Sequence, residues 1–299
     1  MKSTINDQIE TSDMSSTKNG VTENSWHLLR EFTAARISLG RSGVSIPTSE
    51  MLAFQLAHAQ ARDAVHTPLD FEDLQKQLSE LVTQFPKLIS SKPITLHSQA
   101  SDRTEYLQRP DLGRSLDQQS VTKLQKVTSQ YIYNLAIVVA DGLSATAIYQ
   151  NALPFIQLLL EALQQDELPW TIAPITLVEQ GRVAISDEVG ELLNADLVLM
   201  LIGERPGLSS PDSMGLYLTW APRVGLNDSS RNCISNVRPQ GLVYKAAVQK
   251  AIYLLRESRR LKLSGVNLKD RSMAIEKDKT TGDTIEHDKH SSPTHFLSE

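Results

Sequence analysis

Three mostly apolar runs set the pattern of the second half of the chain: LAIVVA (135–140), IAPITLV (172–178) and DLVLMLI (196–202). Each is rich in branched residues and stops at a polar or glycine-containing turn, namely Asp141-Gly142, Glu179-Gln180-Gly181-Arg182 and Gly203-Glu204. Runs of this kind predict strands buried on both faces. Between and after them the period lengthens. SATAIYQNALPFIQLLLEALQQ (144–165), interrupted at Pro154, SDEVGELLN (186–194) and GLVYKAAVQKAIYLLRESRR (241–260) read as helices. Strands alternating with helices predict right-handed crossovers and a parallel sheet, hence an α/β, Rossmann-like domain over 118–266.

The region before it, 25–117, reads as mostly helical. TSEMLAFQLAHAQARDAVH (48–66) is a long run of good helix formers entered through Pro47, with Thr48 or Ser49 as the expected cap. Asp70 is placed to cap a second helix that puts Leu74, Leu78 and Leu81 on one face. Leu39-Gly40-Arg41-Ser42-Gly43 reads as a turn. Residues 1–24 and 267–299 have almost nothing to bury, so both are expected to be disordered tails. His287, His290 and His295 in the second tail imply no fixed metal geometry and read as solvated.

Composition narrows the function classes. The chain has 299 residues, 40% hydrophobic and 22% charged, ordinary for a globular protein. A formal charge of −5 argues against a polyanionic partner, because nucleic-acid binders concentrate Lys and Arg. One cysteine, Cys233, excludes an intrachain disulfide framework and fits a reducing cytosol. The first twenty residues lack a signal-peptide core and no run reaches the ~20 apolar residues of a membrane span. A soluble, intracellular protein is expected.

In an open parallel sheet the ligand crevice lies beyond the carboxyl ends of the strands. That rule collects Asp141-Gly142-Leu143-Ser144, Gly181-Arg182-Val183 and Gly203-Glu204-Arg205-Pro206-Gly207 on one rim, where glycines let backbone approach a ligand. Ser144 reads first as a helix cap. Neither G-x-x-x-x-G-K-[ST] nor G-x-G-x-x-G is present, and neither are HExxH or closely spaced His and Cys pairs. His58 and His66 lie two helical turns apart, too far for one ion. No histidine occurs between 98 and 286, so the sheet domain is expected to lack the commonest general base and to hold something rather than transform it unaided. Cys233 reads as a contact or a small hydrophobe. TWAPRVGLNDSSRNCISNVRPQG (219–241) reads as a long polar loop, which in a compact domain favours a functional role. These residues leave three readings open: a ligand holder, a self-contained enzyme or nucleotide binder using Glu204 and Arg205, and a structural partner whose polar loops form an interface.

Six stretches are more specific: EYLQRPDLGRSL (105–116), ADGLSATAI (140–148), GRVAISDEVGELL (181–193), IGERPGLSSPDSMGLY (202–217), APR (221–223) and RNCISNVRPQG (231–241). In this order they resemble the small subunit of ethanolamine ammonia-lyase, over nearly everything from residue 30 to 266. The resemblance implies a lyase, active only with a large barrel subunit, that converts ethanolamine to acetaldehyde and ammonia by radical chemistry in ethanolamine catabolism. It implies adenosylcobalamin bound base-on between the two subunits, in an oligomer of heterodimers. Carried over by motif, the cofactor contacts fall on Val183 in GRV, Glu204 in GERPGL and Cys233 in RNCISN. Val183 would touch the corrin edge, Glu204 would accept hydrogen bonds from peripheral amides, and Cys233 would contact the ring. No D-x-H-x-x-G loop occurs, so no cobalt-ligating residue and no catalytic residue is expected on this chain. Arg205 is expected to pair with Glu204 or to face the partner. In relatives an N-terminal extension can direct the enzyme into a bacterial microcompartment; the resemblance allows that location or the open cytoplasm.

Overall fold

The structure is a computed structural model and describes residues 17–18, 20–127 and 132–272. The greater part of both expected tails, with His287, His290 and His295, lies outside the described residues.

Six strands form one sheet: β1 (Ile94–His97), β2 (Tyr133–Ala140), β3 (Thr176–Glu179), β4 (Ala195–Gly203), β5 (Met214–Trp220) and β6 (Arg231–Val237). Their spatial order is β1-β3-β2-β4-β5-β6. The first four run parallel, whereas β5 and β6 pair antiparallel. The sheet is therefore mixed and mostly parallel. Two expectations change with it. The stretch 25–117 is not only helical, because β1 supplies an edge strand. Its four residues alternate buried and half-buried, a run too short to show a period. Likewise 219–241 is not one loop. Trp220 ends β5 and RNCISNV forms β6, whose polar positions look like a loop because the outer strand buries mainly one face.

Alternation across the strands fills two cores. Leu135, Ile137 and Val139 of β2 point to one face, with Leu197, Leu199 and Leu201 of β4. Ala136, Val138 and Ala140 point to the other, with Val198, Met200 and Ile202. Helices α2 (Phe71–Val82), α5 (Ala145–Gln164) and α7 (Tyr244–Leu261) contribute buried residues to the first core. Helices α4 (Gln118–Val127) and α6 (Ile185–Leu192) cover the second. Helix α1 (Thr48–His66) precedes α2, and α3 (Arg103–Gln108) follows β1.

The Asp70 carboxylate accepts the α2 cap bond from the Asp73 amide at 2.9 Å, and Leu74, Leu78 and Leu81 are buried. Helix α1, by contrast, starts after Pro47 without a side-chain cap from Thr48 or Ser49. Pro154 does not interrupt α5, which continues through it with Phe155 and Ile156 fully buried. Packing against the sheet compensates for the missing backbone donor. At the other end, residues 267–272 are tied down rather than loose. Leu268 is buried, and its carbonyl accepts from Asn232 Nδ2 at 2.8 Å.

Candidate functional site: a closed rim and an open shelf

The three strand-end loops do meet, and they meet one another. Asp141 is buried, and its carboxylate accepts from the amides of Gly142 at 2.9 Å and Gly181 at 3.3 Å. The Leu143 amide donates to the Gly203 carbonyl at 2.9 Å. Gly142 has a φ of +58°, and a Cβ there would lie 2.4 Å from the Gly203 carbonyl oxygen. A Cβ on Gly203 would lie 2.1 Å from the Ser144 carbonyl oxygen. Gly142 and Gly203 therefore admit neighbouring backbone, a close approach that the sequence had led us to expect of a ligand. Ser144 is a cap with no exposed surface: it accepts from the Ala147 amide at 3.1 Å and donates to the Pro211 carbonyl at 2.7 Å.

Arg103, unremarked in the sequence, closes this rim. Its Nη1 lies 3.4 Å from Asp141 and donates to the Gly142 carbonyl at 2.8 Å, while Nε donates to the Val65 carbonyl at 2.7 Å. Tyr106 is buried with its hydroxyl on the Gly181 carbonyl at 3.1 Å, and the guanidinium groups of Arg103 and Arg182 lie 4.8 and 4.1 Å from its ring centre. Burial raises the Asp141 carboxyl to about 6, against the pull of Arg103 and the two amides. The sheet also owns a histidine after all. His97 ends β1, with Nε2 3.9 Å from Glu179, on the edge strand opposite β6.

A different surface stays open, on the α6 side of β5 and β6. Arg231 of β6 makes a buried ion pair with Asp187 of α6, so α6 covers this face at the Thr219–Arg231 pair. Two pairs further along, and so next on this face, Tyr217 lies opposite Cys233, and directly opposed residues share a face. Tyr217 is half-buried, whereas Cys233 and Ser235 are exposed. Val183, just before α6, packs on the same core as Tyr217. Glu204 stands at the end of this shelf. Its carboxylate accepts from Ser213 Oγ and from the Asn236 amide, the latter at 3.2 Å. A Cβ on Gly215 would lie 2.9 Å from Glu204 Oε1, so that glycine keeps the floor low beneath the carboxylate.

The shelf thus gathers Val183, Glu204 and Cys233 with Asn236 of the polar stretch 219–241, and adds Tyr217 and Ser213, which the sequence reading missed. The signal for Tyr217 and Ser213 lay in SMGLY, and only pairing with β6 gives it meaning. Although its residue is exposed, the Cys233 thiol is raised by partial desolvation against the shelf, with Glu204 adding to the rise and a hydrogen bond with Tyr217 opposing it, so it stays a neutral contact at neutral pH. Arg205 is exposed and makes no ion pair with Glu204. Among the described residues no cluster of His, Cys, Asp and Glu has metal-site geometry. A carboxylate with spare acceptor capacity at one end of a low floor suits a flat ligand fringed with amide donors.

Comparison with known proteins names the family. The model of the ethanolamine ammonia-lyase light chain (EutC) matches residues 23–269. The chain belongs to this family. An ethanolamine ammonia-lyase small subunit of Pseudomonas putida (strain W619) is 57% identical over 250 residues, covering 83% of this chain and 88% of its own. The small subunit of Azotobacter vinelandii is 55% identical over 257 residues, covering 85% of this chain and 92% of its own. Membership makes this chain a subunit of a lyase of ethanolamine degradation and implies a large-subunit partner. No helix among the described residues is long and apolar enough to cross a membrane.

Proposed function

We propose that this chain holds adenosylcobalamin, base-on, against the large subunit for the conversion of ethanolamine to acetaldehyde and ammonia. The observation that carries the reading is the shelf itself. Crossover helices cover the parallel strands, yet beside Tyr217 and Cys233 the face stays open and ends at a carboxylate already steadied by Ser213 and Asn236. Glu204 would accept from peripheral amides, Val183 would bear on the ring edge, and Cys233 and Tyr217 would form the floor. When bound, adenosylcobalamin supplies radical chemistry through its cobalt–carbon bond. This chain's residues bind, orient and keep water from one side, and none of them is proposed as an acid, a base or a cobalt ligand. Cytoplasm or a microcompartment remains the proposed location, and an oligomer of heterodimers the proposed assembly.

The test is cobalamin titration of the reconstituted two-subunit complex, followed by absorbance. Glu204→Gln keeps the size but loses the charged acceptor, and should weaken binding about tenfold, equivalent to about 1.4 kcal/mol. Wild-type affinity in that variant and in Cys233→Trp would overturn the reading.

A further inference from the structure

Helix α1 packs opposite to a core helix. Of its nineteen residues only Ala57 and Ala64 are buried, seven apart and on one stripe. The face away from that stripe carries Met51, Leu52 and Leu56, exposed by 46, 58 and 59%. A surface helix ordinarily turns its large apolar residues to the core and its small or polar ones to water. Here the small residues are buried and the large ones are left exposed.

The segment before it repeats the pattern. The 3-10 turn Ser25–Glu31 buries none of its residues, and Trp26 and Phe32 are 65 and 84% exposed. Arg30 donates to Glu50 from Nη1 and Nη2, at 2.8 and 3.2 Å, which holds this turn against the first turn of α1. The two segments therefore form one arm. Concentrated apolar exposure of this kind marks an interaction surface. The connecting chain also runs beside the shelf. Arg36 donates to the Leu208 carbonyl at 3.1 Å and to Ser209 Oγ at 3.2 Å, and Ser209 donates to the Ala34 carbonyl at 3.1 Å. Leu208 and Ser209 belong to the loop that begins at Glu204.

We propose that the arm, residues 25–56, is the docking element for the large subunit. The partner is the one that membership of a light-chain family implies; its position over the arm rests on the reading that the shelf is shared with it. A protein seated over Glu204 reaches the arm along the 204–210 loop, and a coat of apolar side chains needs a large, permanent partner rather than a small ligand.

The decisive measurement is capture of the full chain by a tagged large subunit, coexpressed and assayed without cobalamin. Leu52→Glu combined with Leu56→Glu should lower capture at least about tenfold, as for central apolar residues of an interface. Because both side chains are exposed, the melting curve of the isolated chain should not move, and Lys245→Glu on α7 should be captured normally. Undiminished capture of the double variant overturns the proposal. So does an isolated chain that self-associates through these residues while the double variant still binds the large subunit, since a second copy would then cover the arm. Should the double variant fold poorly, amide exchange on the wild type substitutes: residues 25–56 should become protected on adding the large subunit, and unchanged exchange overturns the proposal. Failure of the cofactor reading would leave capture intact, because Glu204→Gln should assemble normally whether or not it loses cobalamin.

Discussion

The rim around Asp141 and the shelf around Glu204 lie at neighbouring ends of one sheet, yet one is sealed and the other open. At the rim, parallel strands deliver their loops to the same side, and Gly142 and Gly203 let those loops sink into one another until Arg103 closes the gap. At the shelf, β5 and β6 return antiparallel without a crossover helix of their own. Helix α6, which links β3 to β4, covers the face at Arg231, and beyond it Cys233 is exposed. Crossovers bring their own cover and hairpins do not. The strand-end loops named by the carboxyl-end rule thus divide between the two regions: Gly142 and Gly203 lie in the sealed rim, Val183 and Glu204 beside the open shelf.

If that contrast holds, damage to the rim should appear as lost stability and damage to the shelf as lost binding. The largest effect is expected from Arg103→Met, which leaves the Asp141 carboxylate buried without its cation and should cost about 3–5 kcal/mol in denaturant unfolding. A loss below about 1 kcal/mol would mean the rim is not held by this pair. Next come two matched glycine substitutions. Gly203→Ala drives a methyl into the Ser144 carbonyl and should destabilise by about 3 kcal/mol. Gly215→Ala meets the movable side chain of Glu204, so it should cost under about 1 kcal/mol while weakening the proposed cobalamin binding severalfold. Equal losses in the two would erase the distinction.

A further expected effect is a pH dependence. Asp141 sits at about 6 in the fold, above an unfolded carboxyl value of about 3.9. The folded state binds this proton more tightly, so its stabilising contribution is present below about pH 4 and is lost as pH rises through about 6. Asp141→Asn has no such loss and should gain on wild type across that window by on the order of 2 kcal/mol. Asp187, also raised to about 6 by burial, is common to both proteins and cancels in the difference. Urea unfolding on either side of the window measures it, and a pH-independent difference would show that Asp141 does not titrate there.

Much of this architecture is legible in the pattern of apolar positions. β2 and β4 reveal themselves because both faces are buried, leaving no polar alternation to blur the run. Asp70 with Leu74, Leu78 and Leu81 identifies α2 because cap and stripe agree. Strand β1 escapes because four residues cannot display a period, and β6 because its exposed side mimics a loop. The shelf was legible in part: the strand-end rule put Val183 and Glu204 on one rim, and only the family motif added Cys233, with no spacing rule to join it to them. Helix α1 was recognised as a helix, but its inverted burial was not, since composition states which residues are apolar and not which side meets the body.

Local sequence, then, determined the parallel core, most of its helices and the family, because apolar period, caps and long motifs are written in neighbouring residues. Tertiary structure alone decided that the glycine rim is filled by its own backbone, that Tyr217 and Cys233 lie uncovered beside Glu204, and that α1 turns its large side chains outward. Each depends on which strand lies beside which and where a covering helix stops, distances between residues far apart in the chain that no local pattern records.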